Sequence, residues 1–220
     1  MSDRPTARIS SRKQPKQARS SELVAAILEA AVQVLASDGA QRFTTARVAE
    51  RAGVSVGSLY QYFPNKAAIL FRLQSDEWRR TTEMLRNILE DVQSPPLERL
   101  RRVVHAFIRS ECEEAEVRGA LDDAAPLYRA APETREARAA GDRIFESFMG
   151  EALPDAPKDS RDLACNLITG TLGAVGKQFS EKPRTAGEIE AYANAMSDMF
   201  CAYLSSLTQP RSLTAAIPLA

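Results

Sequence analysis

Apolar side chains recur along this 220-residue chain at the three-to-four spacing of helices, and no stretch shows the sustained alternation of a half-buried strand. Leu23, Ile27, Ala30, Ala31 and Val34 share one face of a helix that starts near Ser20 or Ser21, either able to cap it, and closes at Gly39. A short helix follows from Thr45 to Ala52. Gly53 breaks it, and another begins after Ser55 and ends at Pro64. Asn65 can cap the next helix, which carries Ile69, Leu73, Leu85 and Leu89 as far as Pro95-Pro96. Its length of about 28 residues corresponds to roughly 40 Å. Leu97, Leu100, Val104, Phe107 and Ile108 make one further stripe, and Gly119 and Pro126 interrupt the segment after it. Residues 133–152, 160–180 and 186–207 read as three more helices, parted by Pro154, Pro157, Pro183 and Gly187. The pattern predicts an all-α protein of about nine helices.

Composition supports a sizeable core, since 44% of the residues are apolar. No run of 18 apolar residues predicts a membrane span, and the polar, basic N-terminus lacks the apolar stretch of a secretory signal. Cys112, Cys165 and Cys201 are odd in number, far apart and form no CxxC, which predicts reduced thiols in a cytoplasmic protein. The formal net charge is zero, but it is unevenly spread. Residues 1–66 hold ten Lys/Arg against five Asp/Glu, a net of +5; the remainder holds nineteen against twenty-four, a net of −5. A basic nucleic-acid-binding head on an acidic body has this asymmetry, as does a surface whose charge is merely uneven. Residues 1–19 are rich in Arg, Lys, Ser and Pro without apolar periodicity and read as a disordered arm. Arg4, Arg8, Arg12, Lys13, Lys16 and Arg19 in it can follow phosphates or serve as a solubilising tail. The expected division is the arm 1–19, a DNA-binding domain 20–66, a ligand-binding and dimerisation domain 67–208, and an irregular tail 209–220.

The stretch 44–63 has the chemistry of a helix-turn-helix. Val48, Ala49 and Ala52 form a thin apolar face, Gly53 supplies the positive φ of the turn, and Val54 fills the angle between the helices. Leu59 and Phe63, four apart, face inward, leaving Val56, Gly57, Tyr60 and Gln61 outward. That set is short, partly polar and free of acid, which suits the major groove. Gly57 lets backbone come close, Tyr60 offers a hydroxyl to phosphate and a ring to a thymine methyl, and Gln61 can pair with adenine. Ser55 and Ser58, and Thr44 and Thr45 on the preceding helix, can donate to phosphate, and Lys66 opens the long helix beside the nucleic-acid backbone. Any helical hairpin with a glycine turn shares the bare pattern; its outer face would ordinarily carry Lys and Glu rather than tyrosines and serines.

Phe43-Thr44-Thr45, Val48-Ala49, Ala52-Gly53-Val54-Ser55, Gly57-Ser58-Leu59-Tyr60-Gln61-Tyr62-Phe63 and Lys66 together resemble the TetR family of bacterial repressors. The likeness runs from Ser21 to Leu73, about a quarter of the chain; beyond it only the helical layout is similar. The resemblance implies a three-helix DNA-binding head and a helical C-terminal domain that dimerises and binds an effector. It places Thr44, Thr45, Ser55, Ser58, Tyr62 and Lys66 at phosphate-contacting positions, and Val56, Gly57 and Tyr60 near base edges. Val56 departs from the residues often found there and can make only apolar contact, so the operator sequence stays open.

The same resemblance implies dimerisation through the last two long helices. Gly170, Gly173 and Gly176 on the first suggest close helix approach, each costing about 1 kcal/mol against alanine. Tyr192, Met196, Met199, Phe200 and Tyr203 give the second a broad apolar face, which an intramolecular core would also explain. Trp78, His105, Phe107, Tyr128, Phe145, Phe148, Met149 and Asn166 are candidates for an effector pocket and suggest an apolar or aromatic ligand, although each also suits a plain core. The expected partners are a palindromic double-stranded operator, a second copy of the chain and a small effector, with no cofactor, metal or membrane. Effector binding is expected to shift the helix after Asn65, moving the two heads off the about 34 Å spacing of successive major grooves and relieving repression.

Enzyme readings fare poorly. A single histidine excludes HExxH and His-based metal clusters, and GxSxG does not occur. The run Gly170-xx-Gly173-xx-Gly176-Lys177 lacks the glycine spacing and following Ser or Thr of a phosphate loop. Glu111, Glu113, Glu114 and Glu116 spread around a helix as a solvated face. A helical adaptor that binds protein instead of DNA remains the alternative.

Overall fold

The computed structural model describes Ile9, residues 18–129 and residues 132–208. Among these it contains nine α-helices and a short 3-10 turn, and no strand. The helices are α1 (Ala18–Arg42), α2 (Thr45–Arg51), α3 (Val56–Tyr62), α4 (Lys66–Leu89), α5 (Pro96–Glu113), α6 (Ala115–Ala124), α7 (Pro132–Ala152), α8 (Lys158–Ser180) and α9 (Ala186–Thr208), with the 3-10 turn at Ala125–Leu127. The tail 209–220 and, apart from Ile9, Ala18 and Arg19, the basic arm lie outside the described residues.

Several boundaries differ from the sequence reading. α1 starts before Ser20 and Ser21, so neither is its cap. Gly39, at φ 72° and ψ 170°, breaks the helical backbone where the sequence placed the helix end, and a short further helical stretch continues to Arg42. α4 stops at Leu89, short of Pro95, because the chain turns at Glu90–Ser94, where Ser94 Oγ donates to Asp91 at 3.0 Å. Its 24 residues span about 36 Å. Gly119 does not interrupt a helix; α6 runs through it. Ile9, expected in a disordered arm, is buried against an apolar core.

Packing sorts the chain into two compact units. The first comprises the chain through Glu83 together with Glu113–Gly141, so its core joins α1, α2, α3 and the start of α4 to α6 and Tyr128. Ile27, Leu35, Phe43, Val48, Leu59, Ile69 and Leu70 are fully enclosed there. α1 is long and apolar enough to cross a membrane by length and composition alone, yet its Ile27, Ala31 and Leu35 are core residues while Glu22 and Glu29 are not buried. The buried charge of this unit is paired, while the buried Ser75 hydroxyl has no partner among the described residues. Glu77, 5% exposed, meets Arg118 at 3.0 Å and receives bonds from Gln74 and Thr81; the Tyr128 hydroxyl donates to Leu121 O at 2.9 Å and to Gln74.

The second unit takes Met84–Cys112 and the chain from Asp142. Leu100, Val104, Ile108, Phe148, Ile168, Leu172, Phe200 and Leu204 form its core. Arg99 is fully buried within it. Its guanidinium holds Glu151 of α7 through two bonds and also donates to Leu89 O, the last carbonyl of α4. Thr185 and Glu188 form a reciprocal cap at the start of α9, with Thr185 N donating to Glu188 at 2.8 Å and Glu188 N to Thr185 at 3.3 Å.

Candidate functional site

The stretch 44–63 folds as two seven-residue helices, α2 and α3, around Gly53 at φ 66°. An L side chain there would occupy the sterically penalised left-handed region. The turn is closed by Gly53 N donating to Glu50 O at 3.1 Å and Val54 N to Ala49 O at 3.0 Å. Val48, Ala49, Leu59 and Phe63 are buried and fix the crossing of the two helices. Thr44 caps α2 and Ser55 caps α3: the hydroxyl oxygens accept from Arg47 N at 3.3 Å and Ser58 N at 3.0 Å. A capping hydroxyl uses a lone pair and keeps its own proton, although Ser55 Oγ also lies 2.8 Å from Ser58 Oγ and one proton of that pair is held between them. Asn65 caps α4 in the same way, accepting from Ala68 N at 2.9 Å.

The outward set is where the sequence placed it. Val56 (40%) and Tyr60 (39%) are among the few large apolar-bodied side chains the chain leaves exposed. Gln61 and Gly57 are exposed, and Ser58, Tyr62, Thr45 and Lys66 are half-buried. A Cβ added at Gly57 would meet only Ser55 Oγ, at 3.7 Å, so the fold itself does not demand a glycine there. Tyr60 Oη lies 3.1 Å from Thr45 Oγ1, a bridge between the two helices that orients the phenol. Tyr62 turns partly inward and packs against the core.

The structure adds Arg42, Arg47 and Arg51, all exposed and close in sequence to Thr44 and Thr45. The sequence reading passed over them, although Thr44, Arg47 and Arg51 fall at i, i+3 and i+7 of one helix face. Arg47 is held by Asp38 of α1 at 2.5 Å, and that hydrogen bond pulls the Asp38 carboxyl below the usual carboxylate range. Arg51 donates to Gln33 at 3.4 Å.

The other candidate sets are rearranged. Of the pocket candidates, Trp78 and Tyr128 belong to the first unit, and His105, Phe107, Phe145, Phe148, Met149 and Asn166 to the second. Tyr128, Phe145, Phe148 and Met149 are core residues. His105 Nδ1 is 3.5 Å from Glu190 of α9. Met149 and Asn166 come together on a cleft of about 440 Å³ between α7 and α8, but its walls are charged: Glu146, Lys158, Arg161 and Asp162. Glu111 is also corrected; it is buried instead of solvated.

Of the dimer candidates, Met196 and Phe200 are interior, and Gly176 serves contact within the chain, since a Cβ there would stand 3.2 Å from Ile108 and Phe107. Tyr192 stacks on Phe179, ring centroids 3.9 Å apart, and Tyr203 is half-buried. Gly170 and Gly173 have open space around them. The large apolar side chains that α8 and α9 leave exposed are Leu163 (63%), Leu167 (50%) and Met199 (52%), of which Met199 is one of the dimer candidates. Leu163, Leu167, Gly170 and Ala174 line one face of α8, and Ala191, Ala195, Met199 and Ala202 line one face of α9. Periodicity does not say which stripe of α8 and α9 meets the chain's own core, so the candidate set mixes interior residues such as Met196, Phe200 and Gly176 with outward ones such as Gly170 and Met199.

Comparison with known proteins bears on both parts. Residues 27–73 match the family model of bacterial regulatory proteins of the tetR family, and residues 95–207 match that of the tetracyclin repressor-like C-terminal domain. The fatty acid degradation regulator FadR from Bacillus halodurans has the same fold (TM-score 0.66, 20% identity, 86% of this chain and 97% of that one). So does a TetR-like transcriptional regulator from Rhodococcus sp. RHA1 (TM-score 0.62, 21% identity, 88% and 99%). The nucleoid occlusion factor SlmA of Vibrio campbellii is 39% identical over 83 residues, 37% of this chain. The match spans 42% of SlmA's length, less than half.

Proposed function

The chain belongs to the TetR family of bacterial regulatory proteins and is a DNA-binding transcriptional regulator, and from that premise we propose that it is a homodimeric, cytoplasmic repressor released from a palindromic operator by a small molecule. The observation that carries the reading is the outer face of α3, where Val56, Gly57, Tyr60 and Gln61 stand exposed above a packed two-helix core. α3 enters the major groove, with Val56 and Tyr60 making apolar contact to thymine methyls and Gln61 bonding adenine. Thr44 and Tyr62, with one hydroxyl from each of the bonded pairs Thr45–Tyr60 and Ser55–Ser58, donate to phosphates, and Lys66 adds a charge beside them. With so few hydrogen-bonding groups toward bases, phosphate contacts dominate affinity and the binding is strongly salt-dependent.

The second copy covers the exposed stripes of α8 and α9. Leu163, Leu167 and Met199 are large apolar groups with no cover in one chain, and Gly170 allows close approach of a partner backbone. A dimer presents two copies of α3 to successive grooves about 34 Å apart. An effector that binds better to a state with another spacing releases the operator by that difference in affinity alone.

The test is a gel shift with the DNA upstream of the chain's own gene. Wild type is expected to bind it in preference to competitor DNA. Tyr60→Ala and Lys66→Ala should lose at least about tenfold in affinity, in line with losing one or two charge-assisted contacts, while remaining dimers in sedimentation. Equal binding to competitor DNA by wild type refutes sequence-specific regulation.

A further inference from the structure

We propose that the cleft between α7 and the first half of α8 is a binding site for a small zwitterion of the α-amino-acid type, and that this is the effector of the regulator. The cleft, about 440 Å³, lies within one packing unit and is in the size range of small-ligand sites. Its charged walls are of both signs. Lys158 and Asp162 are bonded to one another, four residues apart on α8. Arg161 on α8 and Glu146 on α7, outside that pair, line the same space with charges of opposite sign. A ligand carrying an ammonium and a carboxylate a few bonds apart satisfies both; a fatty or purely aromatic one satisfies neither.

The floor fits the same chemistry. Met149 (1% exposed) and Cys165 (7%) supply an apolar base, Gly150 leaves room, and Asn166 offers an amide. Burial, followed by the carboxylates of Glu146, Asp142 and Asp162, pushes the Cys165 thiol up to about 11. The thiol therefore stays neutral and adds no charge to the floor. The ligand's ammonium is placed toward Glu146, its carboxylate toward Arg161.

Arg161 and Cys165 lie about 120–160° around α8 from Leu163 and Leu167, the stripe assigned to the second copy, while Asn166 stands at the edge of that stripe. The cleft has a physical route to the DNA-binding helices as well. Met149 and Gly150 directly precede Glu151, whose carboxylate holds buried Arg99 against the last carbonyl of α4, and α4 begins at Lys66. The regulatory half of this inference rests on the effector-controlled reading above; the binding half does not.

The experiment is a thermal-shift screen of the full chain against the twenty L-α-amino acids, followed by calorimetry of any that raise the melting temperature. The expected result is saturable binding of at least one, weakened at least about tenfold by Arg161→Ala and by Glu146→Ala, as expected for loss of a charge-assisted bond. The corresponding amine and carboxylic acid, each with one charge, should bind at least about tenfold less well than the amino acid. Both variants should bind operator as wild type does without ligand, which separates this proposal from the DNA-binding one. No shift by any amino acid, binding unchanged in both variants, or single-charge analogues binding equally well overturns the site. An amino acid that binds in the cleft but leaves operator affinity unchanged overturns its role as effector.

Discussion

Replacing Glu151 by Gln tests whether buried Arg99 is the clamp between α4, α5 and α7. Arg99 is the largest fully buried side chain, and its Nε has no hydrogen-bond partner. Its charge is met by Glu151 and Leu89 O, with the Phe148 ring 5.6 Å away. Removing one partner of a buried ion pair strands the other, at about 3–5 kcal/mol when both are enclosed. Here the Glu151 side chain is 48% exposed, so water screens the pair from its side. The loss is then about 2 kcal/mol, close to that of a hydrogen bond to a charged group. Arg99→Met removes the charge together with its desolvation cost and fills similar volume; Leu89 O loses its donor, at about 1 kcal/mol, and the half-exposed Glu151 carboxylate exchanges Arg99 for water. Glu151→Gln should therefore destabilise more than Arg99→Met. The assay is urea unfolding followed by far-ultraviolet circular dichroism, at fixed protein concentration because dimerisation contributes to stability. The hydrogen bond from Arg99 holds the Glu151 carboxyl below its ordinary range. A lowered folded-state value means stabilisation that is present above the unfolded-state value, about pH 4.3, and lost as the pH falls through the folded-state one. The gap between wild type and Glu151→Gln should accordingly close in acid. A Glu151→Gln stability within about 0.5 kcal/mol of wild type at pH 7, the ordinary range for an uninvolved surface change, or a gap that widens in acid, refutes the clamp.

Three further outcomes follow from the geometry. Asp38→Asn frees Arg47 and should tighten DNA binding while steepening the dependence of log K on log salt by about 0.9, as for one more phosphate contact; an unchanged slope means Arg47 does not reach phosphate. Leu163→Glu with Leu167→Glu should convert a dimer to a monomer in sedimentation with helicity retained; a persisting dimer places the interface elsewhere. Gly119→Ala, in open space on α6, should gain about 1 kcal/mol from helix propensity, whereas Gly176→Ala sets a Cβ 3.2 Å from Ile108 and Phe107 and should forfeit that gain to overpacking. Equal melting temperatures for the two glycine variants would show that α5 yields freely at Gly176.

Local chemistry was legible in the sequence. Helix class, the turn at Gly53, the caps at Ser55 and Asn65 and the outward set on α3 all depend on residues within about one helical turn of each other, and a helix-turn-helix is built from such short-range rules. Tertiary packing decided the rest. That Ile9, α6 and Tyr128 complete the first core, that Met196, Phe200 and Gly176 face inward while Leu163, Leu167 and Met199 do not, and that the cleft beside Met149 is charged are facts about partners far apart in the chain. Helical periodicity gives each residue an angle around its own axis; which angle meets the core depends on where the neighbouring helices lie. In α8 and α9, apolar on more than one side, only that placement separates an interior stripe from one left exposed for a partner.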